Sequence, residues 1–180
     1  MKITLKDGSV REYDKSMSVF EIASDISEGL ARVAMAGEVN GEVVDLRTVL
    51  SDDCELSILT FQDEGGKETF RHTSSHILAQ AVKRLYPETK LAIGPAIADG
   101  FYYDLDRETP FTTEDLEKIE KEMKKIVKEA LPIESFTLPR EEAIALMQEK
   151  EEPYKVELIE DLPEDSIISF YKQGEFTDLC

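Results

Sequence analysis

The chain has 180 residues, 41% of them apolar and 33% charged, with a net charge of −18; this balance suits a folded globular protein and excludes a disordered one. Residues 1–62 hold 6 basic and 12 acidic side chains and residues 63–180 hold 15 and 27, so neither half has the basic footprint by which a protein grips nucleic acid unaided. No apolar run nears the roughly 20 residues needed to span a bilayer, no secretory leader is visible, and two cysteines make no disulfide framework, so a reducing cytoplasm is expected.

Residues 1–61 predict a β-grasp domain, one sheet closed by one helix. Ile3-Thr4-Leu5 and Val10 to Tyr13 flank Asp7-Gly8, a hairpin signal. Ser18 and Glu21 have capping-box spacing, and Val19, Ile22, Ala23 and Ile26 follow at helical intervals, with Gly29 expected to end the helix. A second hairpin is expected around Asn40-Gly41, then a helical turn over residues 46–50 and a last strand over 56–60.

The polar stretch 62–67, with its Gly65-Gly66 pair, reads as an interdomain linker. Residues 68–180 predict a second, α+β domain with mainly antiparallel strands. Its first helix, 68–86, is stopped by Pro87 and has Leu78, Ala81, Val82 and Leu85 as its apolar seam. Two strands joined by a turn are expected within 91–106. Thr113 is placed to cap a helix over 114–130, with Leu116, Ile119, Met123, Ile126 and Val127 on one face. A strand over 133–138, a helix over 140–150, a short helix opened by Pro153, and strands over 167–171 and 175–180 complete the domain.

The only histidines, His72 and His76, lie at i and i+4 on the first of these helices, about 40° apart and turned away from its seam. A zinc-protease helix would need Glu after the first histidine, where this chain has Thr73. With the distant Cys180, the pair makes three ligands of the kind tetrahedral zinc takes. The same groups suit a bound water for general-base hydrolysis, a histidine taking the proton and Asp178 orienting it. The plain alternative makes the histidines a solvated face or polar layer and Cys180 inert. Lys155 and Tyr103 offer a cation and a hydroxyl, against the plain alternative of a wet helix face and a strand pair. Neither standard Gly-rich phosphate loop occurs, so no nucleoside-triphosphate site is expected here.

Three segments carry a family resemblance: Arg71-His72-Thr73-Ser74-Ser75-His76, Ala92-Ile93-Gly94-Pro95 through Gly100-Phe101-Tyr102-Tyr103-Asp104, and Phe176-Thr177-Asp178-Leu179-Cys180. With them the chain resembles the amino-terminal proofreading region of the threonyl-tRNA synthetase family, residues 1–60 its TGS domain and 68–180 its editing domain. That domain's pattern is His-x-x-x-His and, far downstream, Cys-x-x-x-His; the last histidine would fall four positions past Cys180, so a truncated domain is expected. The resemblance implies hydrolysis of seryl-tRNA(Thr), with His72, His76, Lys155, Asp178 and Cys180 as catalytic residues and Tyr103 binding substrate. It favours a water-based site without metal, with zinc on His72, His76 and Cys180 the alternative.

It also implies further domains that ligate threonine to tRNA(Thr) with ATP, magnesium and zinc, and that form a homodimer. The isolated 180-residue piece is expected to be weak or inactive. A non-catalytic tRNA- or partner-binding module with structural histidines is the alternative from another functional class.

Overall fold

In the computed structural model, which describes residues 1–180, the first hairpin forms where Asp7-Gly8 predicts it. It joins β1 (Lys2–Leu5) to β2 (Val10–Glu12), with Gly8 at φ 83°. After β3 (Met17–Ser18), α1 (Val19–Ile26) starts on a complete capping box: the Ser18 hydroxyl accepts from Glu21 N, and the Glu21 carboxylate accepts from Ser18 N. Val19, Ile22 and Ala23 are the buried stripe.

Gly29 does not end this helix. Ser27 does, and its hydroxyl then accepts from Leu30 N to open α2 (Glu28–Val33), so Gly29 lies inside a second short helix. The second hairpin joins β4 (Ala34–Val39) to β5 (Glu42–Val44). Its turn residues Asn40 and Gly41 have φ 49° and 85°, the two left-handed positions such a turn requires. Residues 46–50 form no helical turn. The Asp45 carboxylate takes the Arg47 N–H, and β6 (Val49–Leu50) then pairs with β3. The last strand, β7 (Cys54–Thr60), lies parallel to β1 and antiparallel to β4, giving the order β2-β1-β7-β4-β5. Ile3, Val19, Ile22, Leu50 and Leu56 form the core of this β-grasp unit.

The expected linker over 62–67 is replaced by the start of α3 (Glu64–Leu85). The Asp63 carboxylate accepts from Thr60 N at 2.8 Å. A Cβ on Gly65 would sit 2.9 Å from Leu59 Cδ1, and one on Gly66 would run into the Thr60 carbonyl. The glycine pair therefore marks a helix packed closely on the end of β7, where composition alone suggested a loose joint. The chain divides into two compact units at Arg71/His72, within α3.

In the second unit, Ala81 and Val82 of α3 pack with Ile119 and Ile126 of a later helix. The region expected as two strands is one irregular hairpin of four short pieces: β8 (Lys90–Leu91), β9 (Ala96–Ile97), β10 (Gly100–Phe101) and β11 (Leu105–Asp106). β8 pairs with β11 and β9 with β10, while Ala92 and Asp104 bridge the irregular stretch between them. α4 (Thr113–Glu129) is capped by Thr112 rather than Thr113, with Asp115 completing the box. Leu116 and Val127, expected on its apolar face, are exposed; Ile119 and Ile126 carry the packing.

β12 (Ile133–Leu138), α5 (Arg140–Glu149), α6 (Pro153–Asp161, with Pro at the first turn), β13 (Ile168–Gln173) and β14 (Phe176–Leu179) follow. β12, β13 and β14 make an antiparallel sheet in that order, and Ala143, Met147, Ile159, Ile168 and Phe170 form the core between it and the two helices. No helix is long and apolar enough to cross a membrane.

Candidate functional site

Two neighbouring turns of α3 present His72 and His76 side by side, ring centroids 4.7 Å apart and their Nε2 atoms 3.1 Å apart. Tyr171 of β13 packs beside both rings. β14 brings Asp178, and Cys180 follows two residues on, where strand alternation returns a side chain to the same face.

Asp178 is 2% exposed and is met from three elements. Its Oδ2 lies 3.0 Å from His76 Nδ1 and accepts the Tyr103 hydroxyl at 2.6 Å. Its Oδ1 lies 2.9 Å from Lys155 Nζ, and Lys155, itself 4% exposed, also donates to the Tyr103 hydroxyl at 3.0 Å. Cys180 Sγ is 3.6 Å from His72 Nε2. All six side chains singled out from sequence thus line one cleft of about 380 Å3, whose other walls include Ile93, Pro95, Leu158 and Ile168.

Electrostatics assign most of the protons. Burial opposes charge on Asp178, but the hydrogen bond from His76, the Lys155 ammonium and the Tyr103 hydroxyl outweigh it and hold the carboxyl at about 2. An ionised Asp178 makes His76 Nδ1 the donor, so a single proton lies between the two Nε2 atoms. Burial first, then the neighbouring His76, pushes His72 below the ordinary imidazole range, which keeps it neutral and basic. Burial and Asp178 push Tyr103 up, so it stays a phenol. Cys180 is exposed as a residue, but desolvation of its thiol by the cleft wall, then the Asp178 carboxylate, pushes it up, which disfavours a thiolate nucleophile.

The ligand atoms of His72, His76 and Cys180 all lie within 4.8 Å of one another. Tetrahedral zinc with nitrogen and sulfur ligands sets them roughly 3.3–3.8 Å apart; the His72–His76 and His72–Cys180 separations of 3.1 and 3.6 Å lie near this range, and the widest of the three would have to close to hold such an ion. Asp178 on the far nitrogen of His76 is the outer carboxylate that a metal-bound histidine uses.

Three residues of the surroundings escaped the sequence reading. Gly94 is needed because a Cβ there would run into the Tyr103 ring. Lys83, partly exposed, and the buried Glu152 form a pair at 2.6 Å beside the site. Neither their types nor their spacing signals this; only the close approach of α3 and α6 does.

Residues 1–60 match the TGS domain family. All 180 residues align with the threonine–tRNA ligase of Acetivibrio thermocellus at 69% identity, and with those of Clostridioides difficile and Caldanaerobacter subterraneus subsp. tengcongensis at 63% each. The chain spans 28% of the length of each of these relatives.

Proposed function

From a chain that carries a TGS domain in residues 1–60 and resembles, over its whole length, the N-terminal region of threonine–tRNA ligases, we propose that residues 72–180 form an editing site that hydrolyses seryl-tRNA(Thr). The observation that carries this reading is the position of Asp178. It ends a His76–His72 relay on one side and a Lys155–Tyr103 pair on the other, and both open on the same cleft.

An aminoacyl ester suits this arrangement. Neutral His72 takes a proton from the water that attacks the ester carbonyl. The proton shared between the two Nε2 atoms lets His76 take up the positive charge, which Asp178 stabilises; as the ester C–O bond breaks, the proton returns through His72 to the departing ribose oxygen of the tRNA, leaving free serine and both histidines neutral. Lys155 and Tyr103 hold the polar groups of the amino acid. Such a site answers a physical problem of threonine selection: serine differs by one methyl and keeps the hydroxyl, and a first site gains only about 1–3 kcal/mol from a methyl.

In this reading the chain works in the cytoplasm as part of a longer ligase. Ligation with ATP, magnesium and zinc, the dimer contact and most of the tRNA affinity belong to other parts of that protein. A chain of net charge −18 has little means of holding a polyanion alone, so its own hydrolysis is expected to be weak.

Deacylation of seryl- and threonyl-tRNA(Thr) by the ligase carrying this region tests the proposal. Seryl-tRNA should be cleaved and threonyl-tRNA spared, and His72→Ala should abolish cleavage while charging continues. A folded ligase that spares both esters would leave the binding-module alternative.

The ligand spacing favours a second reading, zinc on His72, His76 and Cys180. Bound there, the ion would lower the pKa of an attacking water. Stoichiometric zinc in the purified chain, lost in His76→Ala, would establish it. Zinc-free protein with chelator-insensitive hydrolysis would leave the water-based site.

A further inference from the structure

Two acids are buried in this chain, Asp178 and Glu152, and the hydrolysis above uses only the first. Glu152, 5% exposed, stands immediately before α6. Its Oε1 lies 2.6 Å from Lys83 Nζ, and its Oε2 accepts the Leu91 N–H at 2.8 Å. Lys83 donates further to the carbonyls of Pro87 and Thr89, both at 2.9 Å. One side chain therefore joins α3, the hairpin that starts at β8, and the entry of α6. These are the three elements that carry His72 and His76, Tyr103, and Lys155.

Glu152 is buried and Lys83 only partly so; such a pair is a poor source of net stability beside an apolar replacement, but removing the partner of a buried charge is costly, and such pairs can fix geometry. Geometry is what this site requires. Lys155 lies one turn into α6, and its ammonium reaches Asp178 and Tyr103 at 2.9 and 3.0 Å. A shift of the helix entry by about 1 Å would carry both contacts past hydrogen-bonding range. No side chain caps this end of the helix. Besides the Lys155–Tyr103 bond itself, the exposed Tyr154 hydroxyl on Asp106 also ties its first turn to the hairpin.

We propose that Glu152 is a positioning residue, which sets the reach of Lys155 by locking α6 to α3 and to the hairpin. The reading of residues 72–180 as a hydrolase underlies the rate measurement below but not the distance measurement. Crystal structures of the Glu152→Ala and Glu152→Gln chains test it, with kcat and KM for seryl-tRNA(Thr) measured on the ligase carrying each variant. In Glu152→Ala, Lys155 Nζ should lie beyond about 3.5 Å from Asp178 Oδ1, and kcat should fall about 100-fold with KM little changed. Glu152→Gln keeps an acceptor for Leu91 N but no charge facing Lys83, and should recover part of this, falling about 10-fold.

If the alanine variant does not fold, the glutamine variant decides. An unchanged Lys155 position in the folded variants overturns the proposal whatever the rate does. A displaced Lys155 at the wild-type rate overturns its bearing on hydrolysis. If the wild-type ligase carrying this region does not cleave the ester, the functional reading fails, and the distances still decide the positioning role.

Discussion

The two units bury different things. Residues 1–71 close around Ile3, Val19, Ile22, Leu50 and Leu56 and bury no charged or polar side chain. Ser75, Gln80, Thr89, Glu152, Lys155, Gln173 and Asp178, the buried polar side chains of the chain, all belong to residues 72–180. Burying such groups costs free energy unless each is paired. A unit built for shape alone avoids that cost, as the β-grasp does; a unit that holds a base, a cation and a carboxylate in fixed relation must bear it.

The sharpest way to break this contrast is Asp178→Ala. It strips the acceptor from His76, Tyr103 and Lys155 and leaves a buried ammonium uncompensated. The loss should be about 3–5 kcal/mol in denaturant unfolding of the second unit. Asp25→Ala in the first unit, which removes a half-exposed partner of Arg11 and Tyr13, should cost under about 1 kcal/mol. Similar losses at the two sites would erase the distinction.

Backbone approach, rather than polarity, sets the largest vulnerability of the first unit. Gly66→Ala should destabilise it by about 1–3 kcal/mol, because the new methyl meets the Thr60 carbonyl. Elsewhere in a helix the same change gains up to about 1 kcal/mol, so a stabilised variant in thermal melts would refute the close packing.

Acid should separate the units. The Asp178 carboxyl is depressed from 3.8 to about 2 by folding, so its contribution is present above the ordinary carboxylate value and is lost as pH falls through the folded one. Its size is about 2 kcal/mol. His72 is also depressed; its neutral form is favoured in the fold, and stability therefore declines as pH drops below the ordinary 6.5. Both groups lie in the second unit. Signals of that unit should titrate to the unfolded state first in an acid series followed by NMR, and simultaneous loss in both units would count against the assignment. A smaller effect is expected at Asn40→Ala, about 1 kcal/mol by denaturant melt, from the left-handed φ and the lost bond to Glu55 N.

What was legible in the sequence was mostly local. Ser18 and Glu21, Asn40-Gly41, Pro153 and the His72/His76 spacing each determine their own neighbourhood within a few residues, and each forms as expected. Gly29 and Gly65-Gly66 misled, because a glycine can mark a stop, a joint or a close approach, and only the opposing surface decides which. At Lys155 the residue type alone favours a wet helix face. Its burial depends on Asp178, twenty-three positions away in sequence and adjacent only after β14 docks. Its candidacy rested on family resemblance, and Glu152, outside the motifs, went unnoticed.

The separation of the site residues along the chain has a consequence for the order of assembly. His76 and Asp178 are 102 residues apart, His72 and Cys180 are 108, and Arg84 of α3 and Glu175 of the β13–β14 turn are 91. The first and last elements of the second unit must therefore meet before any of these contacts exists, and loops of that length close late because their entropy is lost before the contacts repay it. The β13–β14 hairpin spans only Ile168 to Leu179 and can form locally. Its docking on α3 is expected to be the late event. A second unit in which that hairpin has not docked would display its histidines with no Asp178 to orient them, so the proposed site comes into being only with the complete topology.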